Sequence, residues 1–157
     1  YPFFLGCVYK LFHGSLLAAK WAQLLLGLVT VYFVYRIAEK ISDQKTAIVS
    51  GLLAACYGPL IFHEGIFIPE ALGIPLYAMT FYRALGFLEA PTKKRALWLG
   101  VLFGLSALTK AGILIFVLIF LGSFLWKSAK TRSLALYSFL TFFLILAPVK
   151  VHNVFLG

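Results

Sequence analysis

The chain alternates long apolar runs with short charged ones. A helix that crosses a bilayer needs about 20 apolar residues, with about 17 as the lower end. Leu16 to Tyr35 has that length, interrupted only by Lys20 and Gln23, and leads into the charged exit Arg36-Ile-Ala-Glu39-Lys40. Thr46 to Phe62 predicts a second span, closed by His63 and Glu64. Pro69 to Leu88 predicts a third. Pro69 stands where a helix start tolerates proline, and Pro75 is placed to kink the interior.

Ala96 to Trp126 does not suit a single crossing. Its roughly 31 residues would reach ~46 Å at the helical rise. Basic clusters flank both ends, and the positive-inside rule holds both on the cytoplasmic side. Two short spans turning near Lys110-Ala111-Gly112 satisfy both conditions. The first arm carries Gly100-x-x-x-Gly104, a spacing that lets helices approach closely. A last span runs from Ser133 to about Pro148. The expected fold is an all-α transmembrane helical bundle of about six spans, its N-terminal end on the non-cytoplasmic side. Tyr1 to Phe12 is too short to cross and predicts an interfacial helix, with Tyr1, Phe3, Phe4, Tyr9 and Phe12 suited to the headgroup zone.

Composition strengthens this picture. The chain is 62% hydrophobic and only 12% charged, with a mean hydropathy of +0.98. Soluble domains carry about 25% charged residues. These charges are too few to build a water-facing surface, so lipid is the solvent for most of the length. The net charge of +9 does not point to nucleic acid. The basic residues fall in clusters between apolar runs: Arg36, Lys40 and Lys45; Lys93, Lys94 and Arg95; Lys127, Lys130 and Arg132. Cytoplasmic loops look like that, whereas a nucleic-acid interface gathers its cations on one face. Tyr1 to Phe4 lacks the charged n-region of a signal peptide, and the chain opens without Met and stops after an apolar run. Residues 1–157 are therefore expected to be part of a single transmembrane domain, truncated at both ends. Cys7 and Cys56 sit apart among apolar residues and read as free small hydrophobes.

Chemistry concentrates on one face of this layout. Of the five acids, Glu39, Asp43 and Glu89 stand beside cations and read as solvated helix ends. Glu64 and Glu70 lie on the outer side, in an almost wholly apolar stretch from Tyr57 to Glu70. A carboxylate there either serves a polar cavity or reaches the headgroup water. Lys110, Lys150 and His152 fall on the same face. Together with a glutamate they suit a phosphate and a hydroxyl-bearing substrate, unless the lysines only snorkel to the interface. The pair His63-Glu64 has no metal-ligand spacing. Gly-rich phosphate loops, zinc spacings, serine nucleophile motifs and repeats are absent from the sequence. No cofactor is evident, and a divalent metal is left open.

Four segments in order resemble bacterial polytopic membrane glycosyltransferases of the dolichyl-phosphate-mannose protein mannosyltransferase type. Tyr1-Pro-Phe-Phe-Leu-Gly-Cys-Val-Tyr-Lys-Leu-Phe12 is similar to their periplasmic helix. Ala54-Ala-Cys-Tyr-Gly-Pro-Leu-Ile-Phe-His-Glu64 resembles a span exit where an acid follows Tyr-Gly-Pro-Leu-Ile. Gly104-Leu-Ser-Ala-Leu-Thr-Lys110 resembles Gly-Leu-x-x-Leu-x-Arg/Lys, and Ala147-Pro-Val-Lys-Val-His-Asn153 resembles Pro-x-x-x-Arg-Asn. His152 stands where that last pattern has arginine. The resemblance implies a transferase of the bacterial inner membrane, which moves a sugar from a polyprenyl-phosphate carrier to an acceptor outside the cytoplasm. Its main catalytic acid would lie in a first outer loop upstream of Tyr1. Glu64 would serve as a catalytic carboxylate, with Lys110, Lys150, His152 and Glu70 binding substrate. The rival readings are a lipid-linked sugar translocator or other transport-type membrane protein, and a non-enzymatic assembly subunit.

Overall fold

The computed structural model describes residues 1–110, 112–123 and 129–156, with side chains described at all of these except 121, 129, 130 and 150–156. The described residues form helices and connecting turns, with no strand among them. Helix α1 (Pro2–Leu11) has ten residues, too few to cross a bilayer, as its length in the sequence predicts. The chain then reverses through His13 and Gly14, both at positive φ. Gly14 meets that geometry without the steric penalty of a Cβ. Ser15 caps α2 (Leu16–Ile41) by accepting a hydrogen bond from the Ala18 amide at 3.3 Å.

Helix α2 outruns the expected end at Tyr35. Nothing between Arg36 and Ile41 breaks it, and its last turns carry their own side-chain links. Arg36 pairs with Glu39 at 3.2 Å, and the Tyr35 hydroxyl donates to Glu39 at 3.1 Å. Asp43 then caps α3 (Gln44–Ala55), taking hydrogen bonds from the amide and hydroxyl of Thr46.

The expected span from Thr46 to Phe62 is two helices. Helix α3 ends at Ala55 and α4 (Gly58–Gly65) follows after a bend of 47°. Pro59 contributes to the break, having no amide hydrogen to donate to the Ala55 carbonyl. Tyr57, the N-cap of α4, is extended with ψ near 105°, and Pro59 stands in the first turn of α4, where a helix tolerates a missing amide hydrogen. Helix α5 (Glu70–Glu89) begins one residue after Pro69, whose carbonyl accepts from the Gly73 amide at 2.9 Å. Helices α6 (Lys93–Thr109), α7 (Ile113–Ser123) and α8 (Ala129–Leu156) complete the order. Helix α8 continues past Pro148, where the sequence predicts an end.

Three described helices have the length and apolarity to cross a membrane: α2, α5 and residues Thr131–Val149 of α8. Helices α3 and α4 make a fourth if the bent pair is one span. The chain divides into two compact units, Tyr1–Met79 and Thr80–Gly157, and the boundary falls inside α5.

In the second unit α6 is the central helix. Gly100 and Gly104 are buried against α8, where a Cβ on Gly100 would strike the Ser138 carbonyl and lie 2.7 Å from the Thr141 Cβ. A Cβ on Gly104 would lie 2.6 Å from that of Ile145. The close approach expected of Gly100-x-x-x-Gly104 is thus realised within this chain. Helix α6 ends at Thr109 and α7 begins at Ile113, so the expected break falls between them, with Ala111 itself outside the described residues. Phe103 and Phe120 meet edge-on at 5.5 Å between ring centroids, whereas a straight helix would part them by ~25 Å. Helix α7 therefore folds back on α6, adding Phe116 and Phe120 to a core of Phe87, Leu99, Phe103 and Phe142. Polar links lie in the same interior: the hydroxyls of Thr80 and Ser106, both fully buried, meet at 3.1 Å, and the buried Ser138 hydroxyl donates to the Ala135 carbonyl at 2.7 Å.

Candidate functional site

On α2 the buried positions Ala19, Gln23, Gly27 and Thr30 recur every three to four residues, so they form one face. Leu24, Leu25, Leu28 and Tyr32 are exposed on the rest of the helix, as suits lipid. Helices α1, α3 and α4 pack on α2. Gln23 is fully buried, and its Nε2 donates to the Ile66 carbonyl at 3.0 Å and to the Tyr1 hydroxyl at 3.3 Å. One amide thereby holds both the start of the chain and the segment after α4. Burial, then the neighbouring Tyr9, push the Tyr1 phenol above its ordinary pKa. That hydroxyl stays neutral and available as a hydrogen-bond partner. The other Gln23 atom, Oε1, is buried without a partner among the described residues.

Glu64 sits in the last turn of α4 rather than in the loop predicted from the sequence, and is partly buried. Its carboxyl group lies against Gly27: both oxygens and Cδ occupy the space that a Cβ on residue 27 would fill. The described residues give this carboxyl no hydrogen bond and no ion pair. One residue earlier, His63 places Nδ1 on the Pro59 carbonyl. A carbonyl only accepts, so Nδ1 carries the hydrogen there. Beside these groups a cavity of about 380 Å³ is walled by Thr30, Val34, Ala54, Tyr57, Pro59, Leu60, His63 and Ile74. Its lining is almost wholly apolar, though two hydroxyl-bearing residues, Thr30 and Tyr57, and the imidazole of His63 stand at its wall. Such a space suits a hydrocarbon chain better than a free sugar.

The other sequence-predicted residues fall as follows. Glu70 is the first residue of α5 and belongs to the first unit with Glu64. A carboxylate there is favoured by the positive end of the helix dipole. Lys110 is the residue after α6 and belongs to the second unit; its amide donates to the Ser106 carbonyl at 3.0 Å. Lys150 and His152 lie on the backbone of α8, and their side chains are outside the described residues. No group of three His, Cys, Asp or Glu side chains gathers as a metal site among the described residues. Gln23, Gly27 and Thr30, which share the buried face of α2 that Glu64 meets at Gly27, are not singled out from the sequence. The signal for them is the recurrence of small and polar residues every three to four positions inside an apolar run.

Several apolar helices of membrane length in one chain define a multi-pass membrane protein. The chain matches the family model of dolichyl-phosphate-mannose-protein mannosyltransferase over residues 1–152. It belongs to that family, a family of glycosyltransferases. No curated protein and no solved structure matches it.

Proposed function

We propose that this chain forms part of a bacterial inner-membrane enzyme that transfers a sugar from a polyprenyl-phosphate carrier to an acceptor on the non-cytoplasmic side. The observation that carries this reading is the Glu64 carboxyl, held at the end of a broken helix beside an apolar cavity, in a chain of glycosyltransferase kind. A lipid-linked donor needs room for a hydrocarbon chain next to polar groups that handle its headgroup, and the two occur together here.

In the reaction an acceptor hydroxyl forms a new bond to the sugar's anomeric carbon as the bond from that carbon to the carrier phosphate breaks. Glu64 takes the hydroxyl proton, alone or with an acid contributed upstream. The carrier leaves as a phosphate anion, which Lys110, Lys150 and His152 stabilise, with Glu70 binding the hydroxyl-bearing substrate. In the full-length enzyme Glu64→Gln should lower transfer from the lipid carrier by a factor of roughly 100, with membrane insertion and protein level unchanged. Near-normal turnover by that variant overturns the role.

The proposed topology has six spans, counting the α6–α7 hairpin as two short ones, and puts residue 94 inside and residue 64 outside. Single cysteines at these positions in a Cys-free background, labelled with a membrane-impermeant reagent, read it directly. Label at 94 but not at 64 reverses the orientation.

A further inference from the structure

The Glu64 carboxyl fills the space beside the Gly27 backbone. The fit has three parts. Gly27 lies on the buried face of α2, at the same register as Gln23 one turn earlier and Thr30 one turn later. The Glu64 side chain reaches across from α4 into the space a Cβ would occupy. Gln23 ties the Ile66 carbonyl, two residues beyond Glu64, to the same face. The segment that carries the carboxyl is therefore held to α2 by a hydrogen bond at one point, and the carboxyl itself is received at another.

The obstruction that alanine would create is also informative in kind. The three atoms nearest to that Cβ all belong to the far end of the flexible Glu64 side chain. Helix α2 would accept alanine at 27 readily, since alanine favours helix over glycine. Folding has little need of a glycine here. The position of the carboxyl depends on it.

We infer that Gly27 is a positioning residue, the seat that sets where the Glu64 carboxyl stands for the transfer reaction. This rests on the reading of Glu64 given above. A group displaced by about 1 Å can cost a reaction roughly 100-fold, and a methyl at residue 27 forces a displacement of that order.

The test uses the full-length enzyme in native membranes. Gly27→Ala should lower kcat by roughly 100-fold with KM for the lipid-linked donor little changed. Glu64→Asp, one methylene shorter, should impair the native enzyme yet restore at least about tenfold of the activity lost in Gly27→Ala, because the shortened carboxyl clears the new methyl. A structural role for Gly27 alone would show no such rescue. In parallel, dicyclohexylcarbodiimide labelling of Glu64, followed by mass spectrometry, reads the seat without reference to catalysis. Labelling should rise severalfold in Gly27→Ala as the carboxyl is expelled. Unchanged labelling overturns the seat. Raised labelling with native kcat overturns Gly27 as a positioning residue. If Glu64→Gln also turns over normally, the failure lies with the role given to Glu64.

Discussion

Gly27 and Gly100 are both buried glycines in the middle of apolar helices, yet what presses on them differs in kind. Against Gly100 stands the backbone of α8, the Ser138 carbonyl and the Thr141 Cβ. Against Gly27 stands the end of the Glu64 side chain. The second unit uses missing side chains to bring two helices together, and fills the remaining space with Phe87, Phe103, Phe116 and Phe120. The first unit uses one to admit a carboxyl group, on a helix face that also carries the buried Gln23 amide and Thr30 hydroxyl. A glycine that admits backbone is a packing requirement; a glycine that admits a movable charged group governs placement.

The largest expected effect tests this contrast on stability. Gly100→Ala forces two backbones apart and should cost about 3 kcal/mol, the upper end of ordinary overpacking. Gly27→Ala should stay within about 1 kcal/mol of the native protein, since only a side-chain end must move and helix propensity improves. Thermal unfolding of the two full-length variants in the same detergent reads both numbers. Equal losses would erase the distinction.

The smallest effect separates the units by pH. Helix α3 is capped by the ionisable Asp43 and α6 by the neutral hydroxyl of Thr92. Hydrogen bonds from the Thr46 hydroxyl and amide hold the Asp43 carboxyl below its ordinary pKa. A depressed folded-state value means that the cap's contribution is full above the ordinary carboxylate value of about 4, and fades as pH falls through the lower folded value. Acidification from pH 7 to pH 3 should therefore loosen the first turn of α3 and leave that of α6 unaffected. Asp43→Asn, which keeps an acceptor but does not titrate, should remove the difference, as read by the pH dependence of Tm in the variant against the native protein.

The sequence makes some of this visible and hides the rest for physical reasons. Leu16 to Tyr35 and Pro69 to Leu88 are legible as spans because a bilayer demands long apolar runs. The turn at Lys110–Gly112 is legible because the run from Ala96 to Trp126 is too long and has cations at both ends. The contact of Gly100 and Gly104 with α8 follows from a spacing that exists to permit it. The break at Cys56-Tyr57 is missed within an unbroken apolar run, although Pro59 just beyond marks it. Helix α2 runs past Tyr35 because hydropathy reports where lipid ends, and a helix can continue beyond lipid. The meeting of Gly27 with Glu64 leaves no local trace at all. A single glycine among leucines does not announce which distant side chain will fill its place, so Glu64 could be chosen from its chemistry while its seat could not.

The bend at Pro59 has a mechanical consequence. The backbone ladder lacks a rung where α3 meets α4, so those two cylinders are coupled less stiffly than turns within either one. At its far end, α4 is moored by the bond from Gln23 to the Ile66 carbonyl. An eight-residue helix is too short to flex along its own length, so it behaves as a lever with a compliant pivot and one mooring. Leu60, His63 and Glu64 ride on that lever together. Any tilt that resizes the cavity wall also lifts or lowers the carboxyl in its seat, which makes the two a single mechanical variable.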